Sequence, residues 1–123
     1  DFAHFLANIV PLTVLVTVLG HLMPGRFWWV IGALTLGTGA AVWLLARRHN
    51  HLGASGLIYA LLGYLTLHGF LANDWFALAI SAGLLLLYSG LLWGALPTTT
   101  RTSWESHLFG LGVGLALAWF HLV

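Results

Sequence analysis

The sequence predicts an all-α membrane protein, a polytopic bundle of five transmembrane helices. Composition is the first reason: of 123 residues, 60% are hydrophobic and 6% charged, with a mean hydropathy of +0.96. A soluble domain carries about 25% charged residues, so a water-facing surface cannot be built from this chain. Spacing is the second: turn residues and charges cut the chain into five apolar lengths, each close to the roughly 20 residues that cross a bilayer. Thirdly, the second and fourth lengths are apolar around their whole circumference, the mark of helices that are buried or face lipid. These features exclude a cytosolic domain and a disordered segment. A formal net charge of +1, with four arginines and no lysine, argues against a nucleic-acid binder. Cysteine is absent, which removes disulfides and thiolate chemistry.

The first segment runs from about Phe2 to Leu22 and ends at Met23-Pro24-Gly25-Arg26, a tight connection. Pro11 is expected to bend it. The second, Phe27 to Ala46, opens on Trp28-Trp29, as in an interfacial aromatic belt, and is followed by the polar loop Arg47-Arg48-His49-Asn50-His51. The third, Gly53 to Leu71, begins with Gly53-Ala54-Ser55-Gly56, and Asn73-Asp74 separates it from the fourth, Trp75 to Leu96. After Pro97-Thr98-Thr99-Thr100-Arg101, the fifth runs from about Ser103 to Val123. We expect one transmembrane domain over residues 1–123, incomplete at its N-terminus because it opens at Asp1 on the edge of an apolar run. Phe2 to Leu22 does not read as a signal peptide, since it lacks a basic leader and contains His4 and Asn8. Counting arginines alone puts the Arg47-Arg48 loop in the cytoplasm.

Polar groups at membrane depth are costly and are functional candidates by default. His4 and Asn8, at i and i+4, share one helix face. Ser55 stands between glycines at a helix start, where backbone geometry can be tight and free N–H groups favour developing negative charge. His107 heads the last segment, with Gly110 and Gly114 at i+3 and i+7; the third segment carries its own stripe of small residues at Gly56, Ala60 and Gly63. Two such stripes let helices approach closely and would bring His107 to Ser55, with the Tyr59 ring, i+4 from the serine, against the imidazole. Each feature also has a plain reading: interhelical glue, an N-cap, ordinary helix packing. Together they supply a nucleophile, a base and an oxyanion site, the set that acyl transfer needs.

In these motifs the chain resembles the rhomboid intramembrane serine proteases. His4-Phe5-Leu6-Ala7-Asn8 is similar to the family's His-x-x-x-Asn, Gly53-Ala54-Ser55-Gly56 to its Gly-x-Ser-Gly, and Ser106-His107-Leu108-Phe109-Gly110 with Gly114 to its histidine helix. Motif order and the number of intervening spans agree. The resemblance covers the second to sixth helices of a six-helix core, so the first core helix is expected to be missing. It implies Ser55 as nucleophile and His107 as general base of a dyad. It further implies His4, Asn8 and the Ser55 amide as oxyanion donors, Gly53 and Gly56 as their support, and Tyr59 as the ring beside His107. It places the Ser55 loop on the extracytoplasmic side, against the arginine count, and implies transmembrane proteins as substrates.

On this reading the third segment starts below the membrane surface, with Ser55 on the floor of a hydrated hollow, because irregular backbone at depth is tolerated only where it is buried or wet. Ser55 Oγ and a His107 nitrogen are expected near hydrogen-bond reach, looser where no ligand is bound. Glu105 lies about 200° around the helix from His107 and Asp74 at the far end of the third segment, so no third carboxylate member is expected. Ser103 is a conceivable partner for His107. No cofactor or metal is called for; His49 and His51 form only a bare His-x-His. His21, His68 and His121 read as interfacial, and Trp93, Trp104 and Trp119 as interface or packing residues. The expected location is a bacterial cell (inner) membrane, multi-pass. The rivals are an inactive rhomboid-like protein that binds transmembrane helices, and a small histidine-bearing transporter.

Overall fold

The computed structural model describes residues 1–47, 54–98 and 104–121. Five α-helices account for most of them: α1 (Phe2–Leu22), α2 (Phe27–Leu45), α3 (Ser55–Leu71), α4 (Trp75–Tyr88) and α5 (Trp104–Trp119). No strand occurs among the described residues. A 3-10 turn, Pro24–Arg26, joins α1 to α2, and a longer 3-10 piece, Ser89–Ala95, continues α4. Three stretches are long and apolar enough to cross a membrane: Phe2–Leu22, Pro24–Leu45 and Trp75–Ala95. This is a helical membrane protein.

Local chemistry fixes two of the helix starts. Asp1 caps α1, its carboxylate accepting from the His4 N–H at 2.7 Å. Asp74 caps α4 in the same way, accepting from Phe76 N–H at 2.9 Å, just after Asn73 has turned the chain at φ 53°. Such caps satisfy backbone donors that a helix start leaves open. α1 runs from Phe2 to Leu22 with Pro11 inside it and buried. One expectation is corrected. The fourth segment is not one α-helix to Leu96: it tightens into 3-10 geometry at Ser89, where Ser89 and Gly90 begin a stretch whose carbonyls α3 and α5 use as hydrogen-bond acceptors.

α3 is the central helix and touches all four others. Nearly everything from Ile58 to Leu65 is buried, and the core built around it takes Leu15 and Leu19 from α1, Val30 and Leu34 from α2, and Leu84 from α4. Small residues set the approach of its neighbours. A Cβ on Gly110 would run into the Gly56 carbonyl, and one on Gly114 into that of Ala60; one on Gly63 would lie 2.8 Å from the Leu111 carbonyl. The stripe of α3 and the stripe of α5 therefore pack backbone to backbone. On the other side, Gly69 admits Ser81 of α4, whose hydroxyl donates to the Leu65 carbonyl at 2.9 Å. At the end of the bundle where α1 meets α2, Tyr64 donates to the Met23 sulfur at 3.4 Å.

The outside carries the large apolar side chains. Trp43, Trp75 and Leu86 are 83%, 86% and 80% exposed, which in water would make an aggregating surface and in a bilayer makes a lipid-facing one. Trp28, Trp29, Trp43, Trp75, Trp93 and Trp119 all sit near helix ends and are exposed, where aromatic belts form.

Candidate active site

The described residues place the first turns of α3 and α5 and the end of the 3-10 piece together. α5 can come so near because Gly56 has no side chain: a Cβ there would lie 2.9 Å from Ser106 Oγ and 3.2 Å from Thr38 Cγ2. Ser55, the residue before it, opens α3 and is half-buried. His107, the residue after Ser106, lies half-buried against the Tyr59 ring; the two are stacked at 4.3 Å between centroids and 10° between planes. Tyr59 in turn donates its hydroxyl to the Leu91 carbonyl at 2.5 Å.

His107 Nδ1 lies 2.8 Å from the Gly94 carbonyl oxygen. A carbonyl only accepts, so Nδ1 must carry the proton. In the neutral ring this leaves the Nε2 lone pair as the basic site. The ring is thus fixed in plane by Tyr59 and in tautomer by Gly94. Gly94 is required there, because a Cβ at this position would collide with the Tyr59 hydroxyl and lie 3.4 Å from His107 Nδ1. Neither Leu91 nor Gly94 was expected from the sequence; the one available signal was the pair Gly90 and Gly94, at i and i+4 within an apolar run.

The remaining expected residues fall as follows. His4 and Asn8 are brought together with each other: Asn8 Nδ2 donates to the His4 carbonyl at 2.8 Å and lies 3.3 Å from His4 Nε2. Among the described residues, no hydrogen bond joins either of them to Ser55, nor Ser55 to His107. Gly110 and Gly114 lie in the α3–α5 seam. Gly53, Ser103, His49 and His51 lie outside the described residues. Asp74 is spent on the α4 cap. Glu105 is buried and turned to Arg47, whose Nε donates to Oε1 at 2.5 Å; the carboxylate beside it pushes the guanidinium above its ordinary range. No group of three or more metal-ligating side chains occurs among the described residues.

An apolar bundle of five helices, in which Ser55 begins the central one and an oriented His107 stands on its neighbour, defines a class: a polytopic helical membrane protein. A model of the Rhomboid domain family matches residues 1–123, and the chain belongs to the rhomboid family. It is similar to an uncharacterized protein of Mycobacterium tuberculosis (strain ATCC 25618 / H37Rv), 31% identical over 132 residues, covering 97% of this chain and 53% of the relative. It is also similar to an uncharacterized protein of Mycobacterium leprae (strain TN), 32% identical over 129 residues, covering 97% of this chain and 51% of that relative. The chain therefore spans about half the length of these curated relatives. No solved structure matches it.

Proposed function

We propose that this chain forms one rhomboid-like transmembrane domain that cleaves peptide bonds in or near transmembrane segments of other membrane proteins, by a Ser55–His107 dyad. The observation that carries the reading is the orientation of His107. Its Nδ1–H is committed to Gly94 and its face to Tyr59, so Nε2 is the atom that can take a proton. In the reaction Ser55 Oγ attacks the scissile carbonyl carbon as His107 Nε2 accepts the hydroxyl proton. The same proton passes to the leaving amine nitrogen when the C–N bond breaks, giving an acyl-enzyme. Water then hydrolyses the ester by the reverse proton path, and no cofactor takes part. The developing oxyanion would be met by the Ser55 amide, by Asn8 once its side chain turns from the His4 carbonyl, and by His4.

Support for a hydrated site comes from helix length. α3 has 17 residues, about 25 Å at 1.5 Å per residue, short of the roughly 30 Å hydrocarbon core. A helix this short can begin below the surface and leave a hollow above Ser55. A substrate helix must unwind there, because a hydrogen-bonded backbone cannot present its carbonyl. The mycobacterial relatives favour a bacterial cell (inner) membrane, and the family resemblance favours the site facing its outer side.

The test is labelling of detergent-solubilised protein by a fluorophosphonate probe. Wild-type protein should be labelled, and Ser55→Ala and His107→Ala should not. A folded wild type that takes no label, or a Ser55→Ala variant that still does, overturns the reading. Absence of label would favour a binding protein on the same fold.

A further inference from the structure

We infer that Arg47 and Glu105 form a positioning clamp that holds the histidine helix in register with the end of α2. The inference rests on the dyad reading above. Glu105 is buried, its side chain 5% exposed, in the first turn of α5, while Arg47, at 60%, follows the end of α2. Their bond joins residues 58 apart in sequence. The guanidinium carbon also lies 5.6 Å from the centre of the Trp104 ring, so two successive residues of α5 hold one arginine by charge and by π contact.

The position of this pair gives it a task. Arg47 is eight residues before Ser55, at the start of the connection that delivers the nucleophile; Glu105 is two residues before His107. Three consecutive side chains of α5 grip three different parts of the molecule. Glu105 holds the end of α2, Ser106 fills the space over Gly56, and His107 lies on Tyr59 and Gly94. The contacts of Ser106 and His107 depend on the rotation of α5 about its own axis. Further along the seam Leu111 packs over Gly63 and Val113 against Gly37, while Gly110 and Gly114 bring the backbones together. The charged pair adds a directional contact at the end of α5 that bears His107. A buried carboxylate that loses its cation is costly to keep in place, so α5 would turn or shift to hydrate Glu105 and carry His107 with it. Displacements of about 1 Å at a catalytic group can cost on the order of 10²-fold in rate.

The experiment measures two readouts on membrane-reconstituted full chain: the rate constant for fluorophosphonate labelling of Ser55, and the 15N resonances of the His107 ring, assigned by difference with His107→Ala. Glu105→Gln and Arg47→Ala should each slow labelling at least tenfold and move the His107 Nδ1 signal, in protein that still melts cooperatively. Arg47→Lys, which keeps the charge but loses the planar fork, should fall between them and wild type. The reversed pair, Arg47→Glu with Glu105→Arg, should recover much of what either reversal alone loses. Labelling within twofold of wild type and an unmoved ring signal in folded Glu105→Gln would overturn the clamp. A rate loss matched by an equal loss of folded protein, with the ring signal of the folded fraction unmoved, would also overturn it. If wild type takes no label, the dyad reading fails, and the ring resonance alone decides the clamp.

Discussion

His107 is held by groups that differ in how much each must supply, and single substitutions separate them. Tyr59→Phe removes the hydroxyl that reaches the Leu91 carbonyl but keeps the stacked ring. A neutral hydrogen bond is worth about 0.5–1.5 kcal/mol net, so melting should fall slightly and probe labelling should stay within several-fold of wild type. Tyr59→Leu removes the ring face as well, a further 0.5–1.5 kcal/mol or so of aromatic contact, and frees the imidazole to tilt; labelling should fall by more than tenfold. If both variants label alike, the stack does not orient His107. Gly94→Ala is the sharper case. The new Cβ meets the Tyr59 hydroxyl, so either the ring or the Gly94 carbonyl must move, and both hold the imidazole. Labelling should drop on the order of 10²-fold, whereas Gly90→Ala, whose Cβ meets nothing within 4 Å, should leave it unchanged.

Among the helices, the α3–α5 seam decides whether Ser55 and His107 share a site at all, and neighbouring glycines of α5 test it. A Cβ on Gly110 strikes the Gly56 carbonyl, which is backbone and cannot swing aside, while one on Gly112 meets nothing within 4 Å. Gly110→Ala should therefore destabilise by about 1–3 kcal/mol, as overpacked contacts do, and reduce labelling. Gly112→Ala should be neutral or gain up to about 1 kcal/mol from helix propensity. Thermal unfolding in detergent checks both, and equal melting of the two variants would mean that the helices do not pack through Gly110. The stripes were legible in the sequence because small residues at i, i+4 and i+7 (Gly56, Ala60, Gly63) and at i and i+4 (Gly110, Gly114) carry a direct steric meaning. Helix limits at Leu22, Phe27, Leu71 and Trp75 were legible for a similar reason, each lying beside Pro24, Arg26 or the Asn73-Asp74 pair, whose effects are local. The 3-10 piece from Ser89 was not. Leu84 to Leu96 is almost uniformly apolar, and what distinguishes its second half is where the carbonyls of Leu91 and Gly94 point, a property of tertiary packing. The partnership of Arg47 with Glu105 was hidden likewise, since nothing in either residue's surroundings along the chain names the other.

Taken whole, the molecule carries large apolar side chains outward at mid-height and a leucine-rich core around a short central helix, and on the proposed reading water reaches Ser55 from one end. The chain contains no cysteine, so single introduced thiols report access without background. Ala54 precedes Ser55 and is exposed; Leu36 and Leu86, 76% and 80% exposed, lie midway along Pro24–Leu45 and Trp75–Ala95. Exposure has opposite meanings at these places if the bilayer surrounds the bundle and the hollow opens above α3. In sealed membrane vesicles with the site end outward, a charged maleimide should modify Ala54→Cys readily and leave Leu36→Cys and Leu86→Cys unmodified until detergent is added. Modification of Ala54→Cys should also abolish fluorophosphonate labelling, because the adduct would stand in the mouth of the hollow. A thiol at position 54 that stays silent until the membrane is dissolved would place the start of α3 in lipid, where neither the hydrolytic water nor the proton transfers of a Ser-His dyad can be supplied.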